Sequence, residues 1–384
     1  MNADLPLALY IHIPWCEKKC PYCDFNSHQA KAAINEDQYI AALLDDLRQD
    51  LDAYKEQLNN REISSVFIGG GTPSLFSAES FAKLVHGIQQ HIRFTDDVEI
   101  TSEANPGSSE VAKFAGFREA GVNRLSIGIQ SFRQAQLTAL GRVHNPQDAI
   151  HAAQFAREAG FDNFNLDLMF GLPEQSLSQC LEDLNQAIEL QPTHLSCYQL
   201  TIEPNTLFHH SPPITPDDEA IWEMQLALQE QLASSGYKQY EVSAYAQDGR
   251  RCRHNLNYWQ YGDYLGIGAG AHAKITSPRG EVTRLWKIKH PASYMRAENY
   301  TGGVDLVLVN QIPFEFMMNA LRLRDGFTLS LFEQRTQLDR EVLTEQLENH
   351  QSLGLLNFDE EQITPTARGR QMLDSMLQDY LLDD

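Results

Sequence analysis

The sequence is short of basic residues and has no long hydrophobic run. Its 384 residues include 30 lysines and arginines against 52 aspartates and glutamates, so the formal net charge at pH 7 is −22. A general nucleic-acid binder needs a basic face, and an anionic membrane surface attracts clustered lysines and arginines. No apolar run approaches the roughly 18 residues of a membrane-spanning helix. The composition therefore argues against a nucleic-acid binder, a protein of the anionic membrane surface and an integral membrane protein.

Cysteine is also scarce, with six in the whole chain. Six are too few for a disulfide scaffold of this length. Three are scattered and are expected to be buried free thiols: Cys180, Cys197 and Cys252. The segment from Met1 to Pro6 lacks the basic region and the small-residue ending of a signal peptide. Because the other three cysteines are clustered like metal ligands, we expect a reducing compartment and a cytoplasmic protein.

The three clustered cysteines lie in Cys16-Glu-Lys-Lys-Cys20-Pro-Tyr-Cys23, directly after an apolar stretch. The spacing C-x₃-C-x₂-C supplies three thiolates on one tight loop. An iron–sulfur cube has four irons and normally takes four cysteine ligands, so three cysteines leave one iron open to another ligand. The alternative is a structural zinc site with His28 as the fourth ligand, because Cys₃His zinc sites are common. The spacing alone leaves both metal sites open.

Short apolar runs alternate with longer amphipathic ones from residue 7 to residue 200. The predicted strands are Leu7–Ile13, Ser64–Ile68, Val98–Ser102, Asn123–Ile129, Asn163–Leu168 and His194–Gln199. Between them, hydrophobic residues recur every three or four positions, which is typical of helices. Strands that alternate with helices predict βαβ units and a parallel sheet. Six units are too few for a complete barrel of about eight strands.

Polar or glycine residues follow every predicted strand. In barrels of parallel strands, active sites lie at the C-terminal ends of the strands. The candidates in chain order are the cysteine loop, Gly69-Gly-Gly-Thr-Pro73, Glu103, Gln130, Asp167 and Tyr198-Gln199. Arg142 is a further candidate, because it could pair with a ligand carboxylate; the alternative is a surface arginine. We expect these groups to meet at one mouth of the barrel.

Several of these residues have a physical reason to bind a small cofactor. At Gly70 and Gly71 the missing side chains let the backbone run close to a ligand, and the hydroxyl of Thr72 can help to bind an ammonium group. Glu103 can accept hydrogen bonds from two ribose hydroxyls, as the acidic residue of dinucleotide-binding folds does. Asp167 lies in an otherwise apolar strand, where its burial is costly unless it is hydrogen-bonded. That cost favours a ligand role for Asp167.

The sequence pattern changes twice in the last part of the chain. Tyr240–Tyr245 alternates like a strand, and Arg253–Trp259 is predicted to be an aromatic-rich loop ahead of the glycine-rich segment Gly266–His272. After Gln311, helical patterns precede a hairpin, which predicts a small winged-helix-like module. The predicted helices are Phe314–Leu323, Leu331–Arg335 and Asp339–Leu353. The expected domains are residues 1–240, 241–310 and 311–384.

His254 is a candidate haem ligand because it lies near Tyr258 and Trp259. A histidine can ligate a haem iron while aromatic rings pack against the porphyrin. The chain has 13 histidines, and most histidines in proteins are simply hydrogen-bonded or solvated. His272 and Cys252 are competing ligand candidates. The residues alone therefore favour a structural role for His254.

The motifs together resemble the radical S-adenosylmethionine (SAM) superfamily and, within it, the oxygen-independent coproporphyrinogen III oxidase family. The resemblance is carried by Tyr10-Ile-His-Ile-Pro-Trp-Cys16, the cysteine loop that follows it and the Gly-Gly-Gly-Thr-Pro segment, and it covers nearly all of the chain. It implies an α/β fold with an open (β/α)₆ partial barrel and a C-terminal winged-helix-like module. It also implies a [4Fe–4S] cluster whose open iron binds SAM and delivers one electron to the sulfonium. One branch of this family consists of haem chaperones.

The resemblance assigns roles to individual residues. Cys16, Cys20 and Cys23 hold the cluster. The implied SAM site is lined by Tyr10, Tyr22, Gly70, Gly71, Thr72, Glu103, Gln130, Arg142 and Asp167. His254, in the motif His-Asn-x-x-Tyr-Trp, is the haem ligand that the resemblance to the chaperone branch implies.

Two departures separate this chain from the oxidases themselves. The oxidases carry a fourth cysteine two positions after the third, where this chain has Phe25, and they have an N-terminal extension where only nine residues precede Tyr10. Both departures favour a haem chaperone that passes haem to acceptor proteins and is not an enzyme. The alternative is an oxygen-independent coproporphyrinogen III dehydrogenase or another radical SAM enzyme. The expected partners are haem and its acceptor proteins, with a peripheral contact to membrane haemoproteins.

Overall fold

A computed structural model describes residues 5–107 and 111–381 of the chain. The strands of its main sheet and of the cysteine loop are β1 (Leu7–Ile13), β2 (Trp15–Cys16), β3 (His28–Gln29), β4 (Ile63–Gly70), β5 (Phe94–Ala104), β6 (Arg124–Gln130), β7 (Phe164–Phe170), β8 (His194–Gln199), β9 (Lys238–Gln239), β10 (Ala244–Ala246), β11 (Asp263–Ile267), β12 (His272–Thr276), β13 (Val282–Lys287) and β14 (Thr301–Leu306). The strands of the C-terminal module are β15 (Phe327–Thr328), β16 (Leu356–Phe358) and β17 (Gln362–Pro365).

The helices lie between these strands. They are α1 (Glu36–Ala53), α2 (Lys55–Leu58), α3 (Ala78–His91), α4 (Phe114–Glu119), α5 (Gln134–Ala139), α6 (Pro146–Glu158), α7 (Leu177–Glu189), α8 (Leu207–His210), α9 (Asp218–Ser234), α10 (Arg253–Trp259), α11 (Pro291–Tyr294), α12 (Ile312–Ala320), α13 (Leu329–Thr336), α14 (Thr344–Ser352), α15 (Ala367–Gln371) and α16 (Leu373–Gln378). Within the described residues, no helix combines the length and the hydrophobicity that crossing a bilayer requires.

The core of the fold is the predicted partial barrel. Strands β1, β4, β5, β6, β7 and β8 pair in that order and all run parallel. Beyond β1, strand β11 adds a parallel neighbour, and β12, β13 and β14 follow antiparallel. Beyond β8, the short strands β10 and β9 end the sheet. The α/β fold with six parallel barrel strands is confirmed.

Apolar sequence and polar caps explain the barrel elements. Strand β1 is buried along almost its whole length, as expected for a parallel strand covered on both faces. Helix α1 is capped by Asn35, whose side chain accepts a hydrogen bond from the backbone N–H of Gln38. Its buried face carries Leu43 and Leu47, which repeat at the helical period against the strands. Sequence pattern and packing therefore agree in the barrel.

Two local predictions were wrong. Arg253–Trp259 is the helix α10 and not a loop; it contains no glycine or proline, and the backbone N–H of Arg253 is held by the carboxylate of Glu99 at 3.0 Å. Tyr240–Tyr245 is not one strand, because a turn separates β9 from β10. The Glu241 carboxylate fixes that turn by accepting hydrogen bonds from the Ser243 backbone and hydroxyl, at 3.1 and 2.9 Å.

The C-terminal module has the predicted helices and hairpin. Strands β15, β17 and β16 form a small antiparallel sheet in that order, next to helices α12, α13 and α14. Tyr261 and Val282 pack into its hydrophobic core together with Phe316 and Phe332. The division into residues 1–240, 241–310 and 311–384 stays a proposal, and β10 extends the barrel sheet past residue 240.

Buried ion pairs and a hydrogen bond attach the segment of residues 241–310 to the barrel. The ammonium group of Lys287 in β13 lies 2.6 Å from carboxylate oxygens of both Asp46 and Asp50 in α1. The Tyr294 hydroxyl donates to Asp46 at 2.6 Å. Removing one partner of such a buried pair leaves an uncompensated charge, which typically costs about 3–5 kcal/mol. These contacts attach β13 and α11 to helix α1.

Candidate functional site

The C-terminal ends of the barrel strands surround a cavity of about 450 Å³. Its lining contains almost all of the predicted site residues: Cys16, Cys20, Tyr22, Cys23, Gly70, Gly71, Thr72, Glu103, Gln130, Arg142, Asp167 and His254. We call this space the inner cavity. Tyr10 is the exception, because it lines a second cavity beside the first. The structure therefore brings together residues that are more than 200 positions apart in the sequence.

The cysteine loop runs between β2 and β3, which pair with each other. Its three cysteines are free and half-buried. The backbone N–H of Cys23 donates to the carbonyl of Cys20 at 3.2 Å, so the loop is tight. Three free thiols on one loop at the edge of a cavity are a donor set that fits a cluster with one open iron.

The zinc alternative requires the three cysteine sulfur atoms and His28 to lie close together. Tetrahedral ligands about 2.3 Å from zinc place their sulfur atoms about 3.8 Å apart. In the part of the chain that the structure describes, the one group of possible metal ligands within 4.8 Å of one another is Glu99, Cys252 and His254. The clustered cysteines do not form such a group, and His28 instead contacts the Asn26 side chain at 3.3 Å.

The glycine segment has a packing function that the sequence did not reveal. Gly70 has a φ of +110°, and a β-carbon there would lie 2.3 Å from the His12 ring. A β-carbon on Gly71 would lie 2.5 Å from the Trp15 carbonyl oxygen. The glycines thus let the end of β4 pass close to β1 and the cysteine loop. Thr72 follows, and its hydroxyl accepts a hydrogen bond from Asn105 at 3.0 Å.

Two carboxyl groups line the inner cavity, those of Glu103 and Asp167. Glu103 accepts a hydrogen bond from the Gly70 backbone at 2.9 Å. Burial, together with the nearby Asp167, raises the pKa of Glu103 to about 7. Asp167 accepts hydrogen bonds from Asn165 and Ser126, at 2.7 and 3.1 Å, and burial raises its pKa as well. Neighbouring polar groups therefore stabilise Asp167 in its buried position.

Gln130 and Arg142 shape the wall next to the cysteine loop. Gln130 has a φ of +68°, a left-handed conformation that is uncommon for a residue with a side chain. The Arg142 guanidinium donates to Asn105 at 2.6 Å and to the Gly128 carbonyl at 2.8 Å, and it lies 3.8 Å from the Cys20 sulfur. Arg142 therefore places a positive charge directly beside the cysteine loop.

The two predicted tyrosines lie at different places. Tyr22 packs against Phe208 at the edge of the inner cavity, with ring centroids 6.3 Å apart. The Tyr10 hydroxyl lies 2.7 Å from Nδ1 of His12, whose Nε2 lies 2.9 Å from the Asn26 carbonyl oxygen. Since a carbonyl only accepts, Nε2 carries the proton and Tyr10 donates to Nδ1. Tyr10 thus connects β1 to the loop that follows the cysteines.

The second cavity, which we call the outer cavity, is larger, at about 750 Å³. Seven aromatic residues line it: Tyr10, Phe25, Phe67, Tyr258, Trp259, Tyr261 and Tyr264. Its lining also includes His272, Arg284 and Lys289. Phe67 and Tyr258 line both cavities and so form part of the wall between them.

His254 is buried in the inner cavity and has close neighbours. Its ring stacks on Phe67 with centroids 4.1 Å apart and an angle of 7°. Its Nδ1 lies 3.1 Å from the Cys252 sulfur and 3.4 Å from the Glu99 carboxylate. His272 differs, because it is exposed and lines the outer cavity beside Trp286.

Glu99 is a site residue that the sequence analysis missed. Its carboxylate holds both His254 and the start of α10. Although burial alone raises a carboxyl pKa, the hydrogen bond with His254 and the charge of Arg124 hold the pKa of Glu99 at about 2. The signal was present: Glu99 is an acidic residue inside the predicted strand Val98–Ser102, like Asp167 in its strand. Glu99 lies on the Nδ1 side of the His254 ring, and Nε2 lies 3.4 Å from the Cys252 sulfur.

The chain matches known families at both ends. Residues 10–187 match the family model described as the radical SAM superfamily. Residues 309–372 match the family model described as the HemN C-terminal domain.

Curated relatives match the whole chain. The "Heme chaperone HemW" of Haemophilus influenzae is 49% identical over 99% of this chain and 99% of its own length. The protein of the same name from Escherichia coli is 47% identical over 98% of this chain and 99% of its own length.

A solved structure shows the same fold. It is described as "Coproporphyrinogen III oxidase (HemN) from Escherichia coli is a Radical SAM enzyme", and it matches 98% of this chain and 90% of its own with a TM-score of 0.80. Its sequence identity is 24%, so this likeness concerns the fold alone.

Proposed function

Because the chain belongs to the HemW family within the radical SAM superfamily, we propose that it is a haem chaperone that binds haem and transfers it to acceptor proteins. One structural observation supports this proposal most: the large aromatic outer cavity lies directly beside the cysteine-lined inner cavity. A porphyrin is a large flat ring system, and aromatic walls pack well against such faces. The α10 motif contributes Tyr258 and Trp259 to those walls.

Membership of the radical SAM superfamily implies a [4Fe–4S] cluster and SAM as cofactors. In our proposal, Cys16, Cys20 and Cys23 hold the cluster at the edge of the inner cavity. When bound, the cluster supplies one-electron reduction at the SAM sulfonium. The residues proposed to line the SAM site are Tyr10, Tyr22, Gly70, Gly71, Thr72, Glu103, Gln130, Arg142 and Asp167. The positive charge of Arg142 beside Cys20 supports the proposal that Arg142 pairs with the SAM carboxylate.

The proposed haem ligand is His254 of the motif His-Asn-x-x-Tyr-Trp. Burial lowers the pKa of His254, which favours the neutral imidazole that binds metals. For His254 to reach an iron atom, haem must enter the inner cavity or displace Phe67 from the histidine ring. His272 is the competing ligand, because it lines the larger cavity and needs no such displacement.

The function can be tested directly with haem. Anaerobically reconstituted protein should bind about one haem per chain and should transfer it to a haem-free acceptor such as an apo-globin. Absorption spectra of donor and acceptor, separated after mixing, would show the transfer. Retention of all haem by the donor would argue against a chaperone. A cytoplasmic location is part of the proposal, because clustered free thiols need a reducing compartment.

Glu103 is expected to control SAM binding. Replacing Glu103 with alanine should weaken SAM binding by roughly 1–3 kcal/mol, the scale of a lost hydrogen bond to a charged group. Only the ionised carboxylate accepts both ribose hydroxyls, and the pKa of Glu103 is about 7. SAM affinity should therefore rise between about pH 6 and about pH 8 in the native protein and change less in Glu103→Gln. Calorimetry under anaerobic conditions measures both; an unchanged Kd in Glu103→Ala would contradict this placement.

The chain is expected to leave coproporphyrinogen III intact. The reason is Phe25, which stands where the resemblance to the oxidases implies a fourth cysteine, and whose side chain is exposed at the edge of both cavities. Reconstituted protein with SAM and a reductant should form no protoporphyrinogen, as followed by chromatography of the porphyrins. Robust product formation would restore the enzyme alternative.

A further inference from the structure

A third cavity lies where helix α9 and the β9–β10 turn face the C-terminal module. Its volume is about 460 Å³, and we call it the arginine groove. Its charged lining residues are Arg322, Arg324, Arg370 and Glu241, which gives the groove a local charge of 3 − 1 = +2. The chain as a whole carries −22. The arginine groove therefore carries a net positive charge, whereas the protein as a whole is negatively charged.

Two of the arginines, Arg324 and Arg370, make side-chain hydrogen bonds to neutral partners. Arg324 donates to the Gln239 side chain at 2.6 Å, and Arg370 donates to the Pro365 carbonyl at 2.9 Å. Both of these partners are neutral. Both arginines line the same groove, and besides burial the charge of Arg324 lowers the pKa of Arg370. An anion bound to them would offset this electrostatic effect.

A buried carboxylate in the groove also lacks, in the described part of the chain, a hydrogen-bond partner for one of its oxygen atoms. Glu241 is only 2% exposed in its side chain, and its Oε2 makes no hydrogen bond to the residues that the structure describes. The nearest cation is Arg322 at 3.7 Å, whose own Nε has no hydrogen-bond partner within the described chain. Buried polar atoms without partners are uncommon in folded proteins. The side chains of Arg322 and Glu241 both line the groove, but the Glu241 oxygen can only accept a hydrogen bond, so an anion would bind to the arginines.

An apolar rim accompanies the charges. Trp222 and Leu226 of α9 and Val242 of the β9–β10 turn all line the groove, and all three are exposed. Arginines beside an exposed tryptophan form the kind of surface that contributes most to protein–protein binding.

We propose that the arginine groove binds an acidic peptide segment of a partner protein, with its carboxylates on Arg324 and Arg370 and its apolar side chains on Trp222. A peptide fits better than a free anion, because the apolar rim would gain nothing from a small ion. The proposal extends the proposed function, because the arginine groove would be the site at which a haem acceptor binds. It rests on that function only for the identity of the partner.

The arginine groove also contacts the motif His-Asn-x-x-Tyr-Trp. The Arg322 guanidinium lies over the Trp259 ring, 4.4 Å from its centroid, and Trp259 lines the outer cavity. Arg322 thus contacts a residue of the outer cavity, Trp259, and itself lines the arginine groove. A peptide carboxylate that draws Arg322 away from Trp259 would change the packing of the outer cavity. Docking of the acceptor and release of haem would then be coupled through this contact.

The experiment compares two matched peptides on the full chain without haem. The acidic probe is acetyl-Leu-Asp-Asp-Leu-amide, and its neutral counterpart is acetyl-Leu-Asn-Asn-Leu-amide. Tryptophan fluorescence reports binding, and Trp222→Phe identifies the responding ring. The acidic peptide should bind at least about tenfold more tightly than the neutral one, a difference of about 1.4 kcal/mol. Arg324→Gln/Arg370→Gln should abolish that difference.

The control variant removes two charges elsewhere. Arg93 and Arg296 are exposed on other parts of the surface, so Arg93→Gln/Arg296→Gln should keep the tenfold difference. Equal binding of the two peptides, or an equal loss in the control variant, would overturn the proposal. So would binding to vesicles of phosphatidylglycerol that depends on Arg324 and Arg370 without any peptide effect. Because haem is absent throughout, a failure of haem binding leaves this result unaffected.

Discussion

Replacing Cys20 with alanine is expected to abolish the iron–sulfur cluster while the barrel stays folded. Cys20 is one of three thiols at the edge of the inner cavity, and two cysteines cannot hold a cluster that already lacks a fourth ligand. The cysteine loop lies outside the hydrophobic core, whose strands and helices are packed independently of it. The loss of metal should therefore be complete and the loss of stability small.

Iron and sulfide analysis of anaerobically purified protein measures this effect. The native chain should contain about four iron and four sulfide per chain, and the Cys20→Ala variant almost none. Cys180→Ala is the matched control, because Cys180 is a buried thiol far along the chain that should have no ligand role. Circular dichroism should show the same fold in all three proteins. Stoichiometric zinc without iron in the native protein would support the Cys₃His alternative instead.

Replacing His254 with alanine is expected to remove or shift the Soret band of the haem complex. The imidazole is the proposed axial ligand, and alanine offers no replacement atom for the iron. The cluster spectrum should not change, because the sulfur ligands belong to a different loop. The stacked pair of His254 and Phe67 would also be lost, so the fold should be checked by thermal unfolding.

His272→Ala is the matched variant for this experiment. It removes an exposed histidine from the outer cavity and should leave the Soret band unchanged if His254 is the ligand. The opposite pattern, with a native spectrum in His254→Ala and a lost band in His272→Ala, would move the ligand to the outer cavity. His254 would then be a buried residue that anchors α10 through Glu99.

The sequence was sufficient for the barrel and for most of the inner cavity. Apolar strands, helical periodicity and the rule that parallel strands carry function at their C-terminal ends placed Glu103, Asp167 and the cysteine loop at one mouth. These features are local, since each depends on a few neighbouring residues. Gly70 shows the limit of this reasoning, because its glycine is also required by the nearby His12 ring, which no sequence spacing indicates.

The parts that the sequence could not provide depend on contacts between distant segments. Glu99 and His254 are separated by 155 positions, and only folding brings the carboxylate to the imidazole. The helix at Arg253–Trp259 was mistaken for a loop because its seven residues are too few to show a helical period. Phe67 forms part of the wall between the two cavities, and its position in β4 gives no sign of that role in the sequence.

Phe67 and Tyr258 line both the inner and the outer cavity, together with Phe25, Gly70 and Glu103. A ligand in either cavity would therefore lie against a wall that the two cavities share. If occupancy of one cavity repositions that wall, the affinity of the other ligand changes by some factor. Thermodynamic linkage then requires the second ligand to change the affinity of the first by the same factor. A protein that must hold haem and later release it would then use the binding of SAM to adjust its affinity for haem.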